Sequence, residues 1–232
     1  MAFKGFGLDA QGFFQALGDN NSRQWFEDNR FLYEKEIRDP AEEFIQALGS
    51  RLAAEYPAIR FDTRRNGAGS LMRINRDIRF SPDKRPYKTN LGLIFWMGEG
   101  KKTEVPGFYF HIAVDQIFFY GGQHIFPKET LERYRATVAA EKTGKRLRSI
   151  LDGLAGQGLP CFEEPAWKRV PRAYPADHPR ADLLRFAGMG VAKTFAPDAI
   201  LNASLVEECA KAATSMKPLL LWLLEMNNSL RQ

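Results

Sequence analysis

The feature that most restricts this chain is a cluster of short segments with a hydrophobic period of two and no helix-length stretch between them. At even positions from 72 to 80 stand Met72, Ile74, Arg76, Ile78 and Phe80; at odd positions stand Arg73, Asn75, Asp77 and Arg79. This alternation predicts a strand with one mostly apolar face, broken by Arg76, and one wholly polar face. Residues 91–97 are apolar on both faces, with Gly92 inside the run, and read as a central strand. Phe108, Phe110, Ile112 and Val114 then alternate with Tyr109, His111, Ala113 and Asp115. A turn at Asp115-Gln116 leads to a fourth strand over 117–120, stopped by Gly121-Gly122. Strands this close in sequence pair as an antiparallel meander, because a parallel pair needs a long crossover.

The flanks have helical period. Asn21, with Gln24 three residues on, is read as the cap of a helix carrying Trp25, Phe26, Leu32, Tyr33 and Ile37. Asp39-Pro40 then reads as a restart, with Asp39 as N-cap and Glu42 closing a capping box, followed by Ala41, Phe44, Ile45, Leu48 and Leu52 at helical spacing. Helical spacing returns after Pro127, and a last segment opens on Ser204 and Glu207 with Pro218 expected to kink or divide it. Residues 156–200 are rich in Gly and Pro, hold no strong period, and read as a long packed connection. With neither repeat nor linker in sight, residues 1–232 are expected to form one α+β domain: a central antiparallel sheet packed on its apolar face by N-terminal and C-terminal helices. Trp25, Phe26, Phe44 and Leu48 are expected to meet Ile74, Ile78 and Phe110.

Composition removes several classes. Hydrophobic residues make up 44% of the chain, enough for a sizeable core and too many for disorder. The longest apolar runs, 91–97 and 219–224, are far short of a membrane span, and the first residues lack the apolar stretch of a secretory signal. Cys161 and Cys209 match no metal or redox spacing and read as reduced thiols of a cytoplasmic protein.

Charge is concentrated. Residues 60–88 hold nine Lys/Arg and three Asp, a net +6 in a chain whose total is +5, so the remainder sums to −1. A local field of this sign suits a phosphate, nucleotide, nucleic-acid or carboxylate partner. The competing reading is a solvated face paired with acidic helices, such as the one over 34–43. Within the basic region, residues 76–89 (RDIRFSPDKRPYKT) are the densest. Pro82 and Pro86 stiffen the chain, Asp83 favours a turn, Lys84, Arg85 and Lys88 offer cationic donors, and Tyr87 adds a ring with a hydroxyl. No complete cofactor signature occurs: Gly67-Ala-Gly69 lacks the third glycine of a dinucleotide fingerprint, and His111, His124 and His178 are too scattered to argue a metal site. Asp83 followed by Glu99 and Lys101 has the residue order of a metal-dependent nuclease core, although Glu99-Gly-Lys101 falls in a glycine-rich turn.

The chain resembles, over essentially its whole length, the family of the domain of unknown function numbered twenty-four sixty-one. The residues that carry the resemblance are Asn20-Asn21, Trp25-Phe26, Asn29-Arg30 and Tyr33 near the start. The most specific motif is Arg76-Asp77, Arg79-Phe80, Asp83-Lys84 and Pro86-Tyr87-Lys88-Thr89. Later matches are Gly121-Gly122, Asp177-His178-Pro179 with Leu183-Leu184, and the run from Pro218. The resemblance implies no particular activity. It implies that the polar strand and its following loop are a family feature, and it adds His178 to the candidate residues.

Two classes of function follow. In the first, the protein binds, and in an enzyme version acts on, a small anionic or phosphate-bearing ligand. Arg73, Arg76, Arg79, Asp83, Lys84, Tyr87 and Lys88 would hold the ligand, with Asp77 or His111 as the proton carrier. In the second it binds nucleic acid, with the basic segment tracking a backbone and Tyr87, Tyr109 or Phe residues stacking on bases.

Overall fold

The computed structural model describes residues 2–65 and 67–228. The chain divides into two compact units, each assembled from three separated stretches. The first comprises Met1–Phe95, Tyr109–Phe119 and Thr194–Lys211; the second comprises Trp96–Phe108, Tyr120–Lys193 and Ala212–Gln232. Five strands, β1 (Ile59–Arg60), β2 (Asn90–Met97), β3 (Gly107–Ala113), β4 (Ile117–Gln123) and β5 (Met189–Thr194), form one antiparallel sheet in that order. Helices lie on both of its sides, so the chain is α+β. The meander β2–β3–β4 follows from the alternation described above.

The first unit begins with α1 (Ala10–Asp19), which buries Ala10, Phe13, Phe14 and Leu17. In α2 (Arg23–Asp28) the cap is Ser22, whose side chain accepts from the Trp25 N–H at 3.2 Å. Asn21 is therefore not the cap. Its amide instead clamps the backbone of Tyr87, donating to the Tyr87 carbonyl at 3.0 Å and accepting from the Tyr87 N–H at 3.0 Å. A short turn α3 (Arg30–Leu32) passes through a π-helical turn over Tyr33–Arg38 into α4 (Asp39–Glu55). The backbone is already helical at Arg38 and Asp39, so the expected capping box is absent. Asp39 and Glu42 accept instead from the Arg65 guanidinium at 3.1 and 2.9 Å. Pro40, which has no N–H to give the preceding turn, follows the wider π turn directly. Phe44 of α4 meets Phe110 of β3 at 4.7 Å between ring centres, and both rings are fully buried.

Residues 72–80 do not form the expected strand. Backbone pairing there is confined to isolated bridges, Leu71 with Leu93 and Asn75 with Tyr87. Hydrogen bonds from Arg76 N to Pro86 O (2.8 Å) and Lys88 N to Ile74 O (2.8 Å) close an irregular loop. The cause is local. Asp77 accepts from the Arg79 N–H at 3.2 Å and Asp83 from the Arg85 N–H at 3.0 Å, so both side chains draw the backbone into turns that compete with a ladder. Pro82 and Pro86 have no N–H to contribute to one. Phe80, expected on the apolar face, is 93% exposed, and Ile78 is half-buried.

The second unit contains α5 (Lys128–Ala139), α6 (Glu141–Ala155) and the latter part of α7 (Leu205–Asn228), which runs unbroken through Pro218. Trp222 donates its indole N–H to the Thr143 carbonyl at 3.1 Å, and the Tyr134 hydroxyl donates to the Leu183 carbonyl at 3.0 Å. Strand β5 lies in the stretch that showed no period. Neither cysteine is in a disulfide; Cys209 is buried and Cys161 exposed. No described helix is long and apolar enough to cross a membrane.

Candidate functional site

Met72, Arg73, Lys88, Asn90, Gly92, Tyr109 and His111 line a cleft of about 280 Å³ in the first unit. The irregular segment supplies Met72 and Arg73, the end of the loop supplies Lys88, β2 supplies Asn90 and Gly92, and β3 supplies Tyr109 and His111. Tyr109 and His111 share a face because they are two residues apart on a strand. Gly92 permits the arrangement: a Cβ there would stand 2.5 Å from the Tyr109 hydroxyl oxygen, so only glycine lets that ring lie across β2.

Arg73 is exposed, and the other polar side chains of the cleft are half-buried. The Lys88 ammonium is half-buried, donates to the Arg73 carbonyl at 2.9 Å, and has no carboxylate partner among the described residues. Desolvation lowers its pKa. The Tyr109 hydroxyl lies 3.1 Å from His111 Nδ1, and burial raises the tyrosine to about 12, so it stays protonated. The imidazole stacks on Phe118 at 4.8 Å. Burial pushes His111 down to about 4, with Asp115 acting in the opposite sense. The ring is therefore neutral at pH 7. When the tyrosine donates to Nδ1, Nε2 carries the proton, and every polar side chain lining the cleft has a donor to offer.

This titration has a sign. The unfolded chain takes up a proton near pH 6.5 that the folded chain refuses until about 4. Between those values the unfolded state binds more protons, so stability falls as pH drops through the window and is unaffected by this group above it. The expected outcome is that His111→Gln loses this part of the decline when unfolding midpoints are compared between pH 7 and pH 4. An identical decline in both proteins would mean that the ring titrates normally.

Of the residues proposed from sequence, Arg73, Lys88 and His111 are thus brought together. The others are placed differently. Asp77 holds Arg79 through two side-chain bonds of 2.9 and 2.7 Å, both groups exposed, and this pairing lowers the Asp77 pKa to about 2. Arg76 and Arg85 converge on Asp83, whose pKa falls below the usual carboxylate range, chiefly through its bonds with Arg85. Lys84 ties the loop by donating to the Ile78 carbonyl at 3.0 Å. Tyr87 is a core residue, stacked on Phe26 at 4.3 Å. His178 belongs to the second unit, where its Nδ1 accepts from the Arg180 N–H at 3.1 Å. Much of the basic segment is therefore neutralised by its own aspartates, while Arg65 pairs with the acidic helix in the way the solvated-face reading expected. In the nuclease-like trio, Lys101 pairs with Glu104 at 2.9 Å, while the Asp83 carboxylate is held by two arginines. Among the described residues no group of three or more His, Cys, Asp or Glu is placed to hold a metal ion.

Met72, Asn90 and Gly92 were not among the sequence candidates. The signal for Gly92 was present, a lone glycine inside an apolar strand, which marks a close approach.

The model of the conserved hypothetical protein family DUF2461 matches residues 9–222. The chain belongs to this family. No curated protein and no solved structure matches it. As a DUF2461 protein it is described by a family model that spans both the basic loop and the cleft-lining strands.

Proposed function

We propose that the cleft binds the anionic group of a small ligand, a phosphate or carboxylate, and that the protein works in the reducing cytoplasm, where two reduced cysteines are stable. One observation carries the reading: a half-buried ammonium without a carboxylate partner shares a cleft with a guanidinium, an amide, a phenol and a neutral imidazole. A buried cation is costly unless an anion or hydrogen bonds compensate it, and an incoming phosphate would do so. Arg73 and Lys88 bear the charge, Asn90 and the Tyr109–His111 pair orient the ligand, and Gly92 keeps the floor low. In an enzymatic version His111 is the proton carrier, in the tautomer whose Nδ1 donates to the Tyr109 oxygen and whose Nε2 is free to accept. Asp77 is poorly suited to that role, because a carboxylate held near 2 is a weak base at neutral pH.

The test is a thermal-shift panel of inorganic phosphate, nucleotides and carboxylates. A stabilising ligand should lose its effect in Arg73→Ala and Lys88→Met, and keep it in Arg79→Ala, whose partner Asp77 lies outside the cleft lining. Ligand at about a hundred times its Kd stabilises by roughly 2.7 kcal/mol, well within range of such a measurement. A shift that survives in both cleft variants would overturn the assignment.

A further inference from the structure

The loop closed by Asn75 and Tyr87 holds an unexplained feature, Phe80, whose side chain is 93% exposed. No other large hydrophobic residue described between positions 33 and 113 is exposed. The Arg79 guanidinium stands 5.8 Å from the Phe80 ring centre, and Lys84 and Arg85 are exposed in the same loop. Residues 76–88 hold five Lys/Arg and two Asp, so the loop keeps a positive balance after its internal pairs are counted.

We propose that this loop docks single-stranded nucleic acid, with Phe80 as a stacking platform for one base and Arg79, Lys84 and Arg85 taking the flanking phosphates. The proposal is independent of the cleft. An aromatic face with cations around it supplies the two contacts that single strands use, stacking and backbone charge. The surface pairs Arg79–Asp77 and Arg85–Asp83 are solvent-exposed on the arginine side, and pairs of that kind exchange readily for another anion.

The loop is also held in shape. Arg76 bridges to Asp83, Lys84 donates to the Ile78 carbonyl, and the Asn21 amide grips both backbone groups of Tyr87, whose ring is stacked beneath Phe26. A preorganised tip presents its ring with little ordering left to do on binding. Chemistry also favours a strand over a lipid surface. Bilayer attachment requires an apolar face of several residues, and here one ring stands alone among charges of which two are carboxylates.

The experiment measures fluorescence anisotropy of a labelled oligothymidylate of about 12 nucleotides, within the reach of one such site. Four proteins are compared at low salt: the wild type, Phe80→Ala, Phe80→Trp and Arg79→Gln. Expected are binding by the wild type, about ten-fold or greater loss in Phe80→Ala, and recovery in Phe80→Trp. The introduced indole should be quenched by the oligonucleotide, and Arg79→Gln should reduce the salt dependence by about one unit of slope. Equal affinity of the wild type and Phe80→Ala overturns the proposal, as does absence of wild-type binding. A blue shift of the Phe80→Trp emission on anionic phosphatidylserine vesicles, with no response to the oligonucleotide, overturns it in favour of a lipid surface.

Discussion

Phe110→Ala is expected to lower the stability of the protein by about 3–5 kcal/mol, and Phe44→Ala by a similar amount. Both side chains are fully buried, and their rings meet at 4.7 Å. Phe6 stacks on Phe110 at 6.1 Å and Phe3 meets Phe44 edge-on at 5.1 Å, so each truncation opens a cavity lined by rings that cannot collapse far. Because the two residues touch, the double variant should depart from the sum of the singles by about 0.5 kcal/mol or more. Denaturant midpoints with unchanged slopes would measure both effects. Midpoints near the wild type for the single variants would mean that the helix α4 face and the β3 face have been wrongly matched.

The second large effect is expected at Arg180, a charged residue with only 5% of its surface exposed. Its Nε donates to the Val138 carbonyl at 2.7 Å and its Nη2 to the Ala139 carbonyl at 2.9 Å, the last residues of α5. Those carbonyls have no partner further along their own helix, and a cation at a helix C-terminus also meets the negative end of its dipole. Arg180→Ala removes both donors at once, and bonds from a charged donor are worth about 1.5–3 kcal/mol, so a loss of roughly 3 kcal/mol is expected. Arg180→Lys should recover only part of it, because one ammonium cannot span two carbonyls as a planar guanidinium does. Thermal unfolding of the three proteins decides the matter, and full recovery by lysine would show that charge alone is required. The pairing also gives the Asp177-His178-Pro179 motif a structural role: His178 receives the Arg180 N–H and helps set the arginine in place.

The sheet was legible where the pattern is made by packing on both sides. Phe108, Phe110 and Ile112 alternate because one face of β3 is buried, and the β2 run is apolar because both of its faces are largely covered. The segment from Met72 to Phe80 shows the same alternation for another reason. Ile74 packs inward, whereas Ile78 and Phe80 follow an Asx turn and answer to no partner strand. Period records which residues are apolar, and pairing depends on where free N–H groups find carbonyls, which a chain with two prolines nearby withholds. Strand β5 was missed for the opposite reason. Gly190 breaks its apolar run because a Cβ there would strike the Tyr120 ring, so packing itself removed the signal. In the site, Arg73, Lys88 and His111 were readable as polar residues near apolar strands. Tyr87 was misread as part of the ligand rim because its hydroxyl suggested a donor, while Asn21, some 66 residues earlier, holds its backbone and Phe26 covers its ring. Contacts at that separation leave no trace in local spacing.

The division of the chain into interleaved stretches bears on how it is made. The first unit needs Thr194–Lys211 and the second needs Ala212–Gln232, so neither can close while the polypeptide is still short. On the ribosome, the Phe44–Phe110 contact can form early, yet the Phe110–Phe195 contact at 6.4 Å must wait for nearly the last fifth of the chain. Nascent chains of this architecture leave apolar strands exposed for much of their synthesis, the condition under which chaperones engage a polypeptide. A truncation at the start of α7 is therefore a lesion of both units, whereas one beyond Lys211 removes residues of the second alone.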